Sequence, residues 1–308
     1  MNVIIGKTSG FCNGVSYTVK TAEEAIKNEK IYCLGEIVHN ERVINDLEKN
    51  GMITIKNIDE APNNSKVIIR AHGELKETYD KALQKNIDIL DLTCGKIKAI
   101  RVKISKRVDD HFIVIIGKKE HPESLGVLSF SGNNSLIIED YEDVDKNIEI
   151  INGSSVNKIY IVSQTTFNAD KYDKLVDYLK SLTKKDIIID KTICDATSKR
   201  QNETKELSKK VNTMIIVGGR KSSNTKELEL IAKEYCSNVL LVQNKDDIKI
   251  ENIIGENIGI MAGASTPNVV VDEIVDKLNR QDFWSCFFIY KSNLFEQLKC
   301  ILYNGNRW

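Results

Sequence analysis

The order cysteine, helix, strand, polar turn recurs three times in this chain at nearly fixed spacing. Cys12 precedes His39 by 27 residues, Cys94 precedes His121 by 27, and Cys194 precedes Ser222 by 28. A second polar turn follows a further strand in each third: Arg70-Ala71-His72-Gly73, Ser163-Gln164-Thr165-Thr166 and Gly263-Ala264-Ser265-Thr266. One such coincidence could be chance, but three in register indicate related modules, and an internal repeat constrains architecture more than any single motif. The cysteines lie 82 (12 to 94) and 100 (94 to 194) residues apart, the length of a small domain unit.

Short β-branched runs supply the strands: Val3-Ile4-Ile5, Val67-Ile68-Ile69, Phe112 to Ile116, Ile159 to Val162, Ile187 to Ile189, Met214 to Val217 and Ile258 to Met261. Between them lie charged stretches with helical spacing, such as Val15, Val19, Ala22 and Ile26. Near-continuous apolar strands alternating with amphipathic helices indicate α/β units with covered, largely parallel sheets. The expected fold is three similar α/β modules around a pseudo-threefold axis enclosing a central site. Their expected ranges are 1–93, 94–193 and 194–282. Polar turns at strand C-ends are where open α/β sheets bind ligands, so all the clusters should converge on one cavity. Residues 283–308 break the pattern. They hold eight of the 20 aromatic residues and read as a packing or oligomer-contact tail.

The formal net charge is zero, with 44 Lys+Arg against 44 Asp+Glu, which argues against a non-specific nucleic-acid binder. No apolar run approaches the roughly 18–20 residues of a membrane span, and no signal-peptide core is visible, so a cytoplasmic protein is expected. Seven widely spread cysteines are an odd number and, in a reducing compartment, read as thiols or metal ligands.

Three cysteines at equivalent repeat positions, Cys12, Cys94 and Cys194, read as a ligand set. Thiolate sulfur suits zinc or an iron–sulfur cluster. Zinc sites favour close pairs such as C-x-x-C, and the sequence has none. A [4Fe-4S] cluster normally takes four thiolates, so three would leave one iron open. Cys33 and Cys236 lie in apolar surroundings and read as small hydrophobes. Three of the four histidines, His39, His72 and His121, fall in the polar turns, whereas His111 beside Asp109 and Asp110 reads as solvated surface. With Ser222, Ser223, Asn224 and Ser265 they offer donors with little formal charge, which suit a phosphate or diphosphate. Ser222 and Asn224 could equally be helix N-caps. Glu123, next but one to His121, could relay protons with it. Gly218 to Ser222 lacks the full phosphate-loop pattern.

Taken in order, Gly10-Phe11-Cys12-Asn13-Gly14-Val15, Val38-His39-Asn40, Ala71-His72-Gly73, Thr93-Cys94, His121-Pro122-Glu123, Gln164-Thr165-Thr166, Cys194, Ser222-Ser223-Asn224 and Ala262-Gly263-Ala264-Ser265 resemble the 4-hydroxy-3-methylbut-2-enyl diphosphate reductase family. The resemblance covers roughly residues 1–280. It implies that Cys12, Cys94 and Cys194 hold one [4Fe-4S] cluster per chain, its fourth iron open to the substrate hydroxyl. It implies that His39, His72, His121, Ser222, Ser223, Asn224 and Ser265 surround the diphosphate. Thr165 and Glu123, with His121, would position and protonate the leaving hydroxyl. Two electrons from an external ferredoxin or flavodoxin would complete the reaction. Two departures, Gly95-Lys96 after Cys94 and Ser124-Leu125 after Glu123, bear on local loop shape. The rival readings are a quinolinate synthase-like dehydratase, which would call for arginine rather than histidine and serine, and a zinc or iron–sulfur protein with a structural or sensing role.

Overall fold

The computed structural model describes residues 1–280. The aromatic tail noted at 283–308 lies outside the described residues, as does the end of the range 194–282.

The strands group into three four-stranded, wholly parallel sheets. The first contains β2 (Ile31–Leu34), β3 (Met52–Ile55), β4 (Lys66–Ile69) and β5 (Asp88–Asp91), in the order β3-β2-β4-β5. The second contains β6 (His111–Ile116), β7 (Ser135–Ile138), β8 (Lys158–Ser163) and β9 (Asp186–Ile189), in the equivalent order β7-β6-β8-β9. The third contains β10 (Thr213–Val217), β11 (Asn238–Val242) and β12 (Asn257–Ala262), and its fourth place is filled by β1 (Asn2–Ile5) from the chain's beginning. In this respect the grouping of residues 1–93 is corrected. β1 pairs with β12 in the register Val3 to Ile258 and Ile5 to Ile260, so it does for the third sheet what β5 and β9 do for the first two. The physical reason is that β12 would otherwise offer an unpaired edge of backbone donors and acceptors.

Parallel neighbours need crossover connections, and helices supply them. Each sheet is covered on both faces, because alternate side chains of a strand point to opposite sides. In β6, Phe112, Val114 and Ile116 enter one core with α6 (Tyr141–Gly153) and α7 (Ala169–Leu182). Ile113 and Ile115 enter the other, with α4 (Gly95–Ser105) and α5 (Pro122–Leu128). The first sheet is sandwiched between α1 (Asn13–Ala25) with α2 (Glu41–Lys49) and α3 (Lys76–Gln84). The third lies between α8 (Asp195–Ser208) with α9 (Ser223–Tyr235) and a helix, α10, over 268–280. Burying one Val, Leu or Ile contributes roughly 1.5–3 kcal/mol, and these six cores hold the modules together. Among the described residues, no helix is long and apolar enough to cross a membrane.

His111 is not the solvated residue that its neighbours Asp109 and Asp110 suggested. It opens β6, is buried, and packs its ring edge-on against Tyr160, with Nδ1 2.5 Å from the Asp110 carboxylate.

Modules one and three meet at the polar turns. A Cβ added to Gly219 would come within 2.2 Å of the His39 carbonyl oxygen, a backbone atom that cannot swing aside. Gly219→Ala should therefore lower stability by about 1–3 kcal/mol, the usual cost of overpacking. A shift in denaturant midpoint checks this, and an unchanged midpoint would show that the contact gives freely.

Candidate active site

Each edge strand delivers a cysteine. β1 leads to Cys12, β5 to Cys94 and β9 to Cys194, and each cysteine is the N-cap of the next helix: α1, α4 and α8 respectively. Their backbone amides make three equivalent hydrogen bonds. Cys12 N–H donates to Ala264 O (3.1 Å), Cys94 N–H to Ala71 O (2.9 Å) and Cys194 N–H to Thr165 O (3.0 Å). Each acceptor lies in the second polar turn of the preceding sheet. The repeat is thus closed by main-chain bonds, and the three thiols face one cavity of about 100 Å³. Gly95, one of the two family departures, begins α4 with open space around its Cα and leaves the Cys94 bond intact.

The thiols are all free. Cys12 Sγ accepts from the Val15 amide at 3.5 Å. Burial pushes the Cys94 thiol up, and the Lys96 amide opposes that. Gly14 keeps the space between two of them open, since a Cβ there would lie 2.9 Å from Cys94 Sγ and 3.9 Å from Cys12 Sγ. Cys33 and Cys236 are buried elsewhere, and burial pushes the Cys33 thiol up to about 12. They carry no ligand character.

The same cavity carries three imidazoles. His39 and His72 stack with ring centroids 4.4 Å apart, and His121 stands edge-on to both at 6.3 and 5.6 Å. Burial, before any neighbouring charge, depresses all three: His39 falls below its usual value, His121 falls to about 3, and His72 lies well below. All three are therefore neutral in the ligand-free protein at pH 7. His39 donates Nδ1–H to the Glu36 carboxylate at 3.0 Å, and Lys221 also pairs with Glu36. His121 is the N-cap of α5, and its Nδ1 accepts from the Glu123 amide at 3.1 Å. That bond leaves the proton of the neutral ring on Nε2.

The nitrogens of the three rings lie within 4.8 Å of one another, close enough to suggest a metal triad. His121 argues against that use. Its Nδ1 lone pair is taken and its Nε2 is a donor, which suits an anion oxygen rather than a cation. The other wall groups are of the same kind. Both polar atoms of the Asn224 amide are buried without a partner, as is His72 Nδ1. An unmade bond on a buried amide costs about 1–3 kcal/mol, so Asn224 is set up for a ligand. Ser222 caps α9 through the Thr225 amide (3.3 Å) and also lines the cavity, so the capping and ligand readings coexist. Ser265 donates to His39 O (3.3 Å), and Ser223 accepts from Gln164 Nε2 (3.3 Å).

The cavity also holds a buried carboxyl. Glu123 is 1% exposed, and burial raises it to about 7 despite two bonds from Thr165. Thr165 donates its amide to Glu123 Oε1 (2.5 Å) and its hydroxyl to Oε2 (2.9 Å). Glu123, Thr165 and Cys194 are thereby joined in one chain of hydrogen bonds that begins at His121.

Every candidate residue named from the sequence lines this cavity. Sequence reasoning passed over Arg200, Gly14 and Lys96, which line it too. Arg200 had a usable signal: Thr197 and Arg200 follow Cys194 by three and six residues on α8 (197 − 194 and 200 − 194).

A cavity lined by three free thiols, neutral hydrogen-bonding side chains and a buried carboxyl marks an α/β protein with an enzyme-like site. The model of the LytB protein family matches residues 3–279, and the chain belongs to that family. It is similar to the 4-hydroxy-3-methylbut-2-enyl diphosphate reductase of Thermoanaerobacter sp. (strain X514), 35% identical over 285 residues, 90% of this chain and 96% of that one. The reductase of the same name from Clostridioides difficile (strain 630) is 36% identical over 89% of this chain and 98% of its own. Among solved structures, the E-1-hydroxy-2-methyl-but-2-enyl-4-diphosphate reductase from Plasmodium falciparum superposes with a TM-score of 0.83 at 29% identity, covering 89% of this chain and 87% of that one. A second, an (E)-4-hydroxy-3-methyl-but-2-enyl diphosphate reductase described as the terminal enzyme of the non-mevalonate pathway, gives 0.65 at 32% identity over 91% and 99%. These relatives are reductases, and this chain is an oxidoreductase of the same family.

Proposed function

We propose that the protein reductively removes the hydroxyl of 4-hydroxy-3-methylbut-2-enyl diphosphate, giving isopentenyl and dimethylallyl diphosphate, the last step of the non-mevalonate route to isoprenoids. The observation that carries this reading is the joint presence, on one cavity, of three free thiols, neutral hydrogen-bonding side chains and a buried acid. The thiols fit a [4Fe-4S] cluster with three protein ligands: all three are uncommitted, N-terminal to helices, and spaced by Gly14. When bound, such a cluster supplies the electrons and an iron with an open position. The electrons come from an external donor of the ferredoxin or flavodoxin class.

The chain's own residues do the rest. His39, His72, His121, Ser222, Ser223, Asn224 and Ser265 bind the diphosphate. An arriving dianion or trianion meets neutral rings, so it raises their proton affinity and draws protons onto His39 first, where Glu36 stabilises the cation. Asn224 gains the bonds it lacks. Glu123, half protonated near neutrality, passes its proton through the Thr165 hydroxyl to the leaving oxygen. The balance is one C–O bond broken, two electrons and two protons taken up, and water released. The second proton reaches the allylic carbon at either end, which yields the two isomers. The protein has no need of nucleic acid or membrane, and the cytoplasm suits its reduced thiols.

Replacing Cys12, Cys94 or Cys194 by serine should remove most iron from anaerobically reconstituted protein, because hydroxyl oxygen replaces thiolate poorly on iron. Cys33→Ser should load normally. Iron and sulfide analysis with electron paramagnetic resonance decides, and equal losses in all four variants would sink the assignment.

Glu123→Gln should load fully and bind substrate with similar affinity, yet turn over roughly 10²–10⁴-fold more slowly. The wild-type kcat/KM should fall about tenfold per pH unit above about 7, since the acid must be protonated to act and its pKa is raised, not lowered. The variant should lack that limb. A Glu123→Gln profile that keeps the limb would assign the proton elsewhere.

A further inference from the structure

Arg200 is almost fully buried, 3% exposed, on the cavity face of α8. Two of its three nitrogens are committed: Nε donates to Thr8 O and Nη2 to Gly10 O, each at 2.9 Å. The third, Nη1, is buried and has no partner. Thr8 and Gly10 belong to the loop that carries the chain from β1 to Cys12. One turn further along α8, Glu203 holds the same loop from the other side, accepting the Lys7 amide (2.6 Å) and the Thr8 amide (2.8 Å) and hydroxyl (2.5 Å). Burial lowers the Arg200 pKa, opposed by Cys12 and Cys194, with which it lines the cavity, and by the Glu203 carboxylate.

The repeat sharpens the question. The residue six positions after Cys12 is Thr18, which bonds the carbonyls of Gly14 and Leu92, and six after Cys94 is the apolar Ile100. Only the third module places a cation there. A buried guanidinium with two neutral acceptors is costly unless a negative group completes its shell. Nη1 is uncommitted, and the cavity that Arg200 lines is also lined by the Cys12 and Cys194 sulfurs, which are candidate acceptors once a ligand is bound.

We propose that Arg200 is a positioning residue of the sulfur site. Its Nη1 donates to the sulfurs held by Cys12 and Cys194, while Nε and Nη2 fix the loop that presents Cys12. This rests on the reading that the three thiols hold a cluster. Donors to cluster sulfurs, and a fixed positive charge beside them, favour the reduced, more negative state, so Arg200 raises the reduction potential. It also makes the surroundings of the three ligands inequivalent, since only the third module carries a cation six residues after its cysteine.

The experiment is a redox titration of reconstituted wild type, Arg200→Gln and Arg200→Lys, followed by electron paramagnetic resonance, with iron content measured on each. At a fixed poise, Arg200→Gln should show about a tenfold lower ratio of reduced to oxidised cluster, a fall of about 59 mV for one electron. Arg200→Lys keeps the charge but loses the fork, and should lie between. Wild type that binds no iron would overturn the cluster reading itself. Normally loaded variants with the wild-type potential would overturn only the role of Arg200. If Arg200→Gln fails to load, Arg200→Lys decides alone, and a potential equal to wild type refutes the proposal. Glu203→Gln is the control for the loop: it should lower thermal stability without lowering the potential, since it removes a negative charge, whereas a fall equal to that of Arg200→Gln would assign the shift to loop disorder.

Discussion

The amide of each cavity cysteine donates to a carbonyl at the end of a strand in the sheet before it: Cys12 to Ala264, Cys94 to Ala71, Cys194 to Thr165. These three main-chain bonds close the repeat into a ring. They fix each thiol at a helix N-terminus and set the second polar turns around the same axis. The rest of the site depends on them. Thr165 can face Glu123 because its own carbonyl is held by Cys194, and His72 follows directly on Ala71. Each bond is worth only about 0.5–1.5 kcal/mol net, so the sheets and their six cores must do the stabilising while the bonds set position.

The electrostatics of the cavity follow from burial. Neutral imidazoles and a carboxyl with a pKa of about 7 keep formal charge low in the ligand-free state. The cationic lining residues Arg200, which is buried, and Lys96, which is exposed, are the exceptions. A polyanion is thus met by donors that gain charge as it arrives, while negative sulfur is met by a cation already in place. Hydrogen-bonding side chains, free thiols and the buried acid thus share one cavity.

Much of this was legible in the chain. The three cysteines, the histidines and the serine and asparagine turns stand at nearly constant offsets because a helix and the strand after it together span nearly the same length in each module, and local periodicity reads those elements directly. What the sequence hid was long-range. β1 completes the third sheet through contacts about 255 residues away in the chain (257 − 2), which no local pattern can announce. Arg200 sits on α8, a helix with scarcely an apolar residue, Asp-Ala-Thr-Ser-Lys-Arg-Gln-Asn-Glu-Thr-Lys-Glu-Leu-Ser, that reads as solvated on both faces. Yet Thr197, Arg200, Gln201 and Thr204 are buried, and the carbonyls of Thr8 and Gly10 accept from Arg200, and that of Phe167 from Gln201, out of distant loops. His111 misled for the same reason: its acidic neighbours are local, whereas Tyr160, which buries it, is not.

The most direct measurement is anaerobic turnover of 4-hydroxy-3-methylbut-2-enyl diphosphate by the iron-loaded protein with a chemical reductant, followed by separation of the products. Loss of the substrate hydroxyl with appearance of both isopentenyl and dimethylallyl diphosphate is predicted, at one two-electron equivalent per product. Fully loaded, reduced protein that binds the diphosphate and releases neither product would contradict the assignment of this cavity as the site of reductive dehydroxylation.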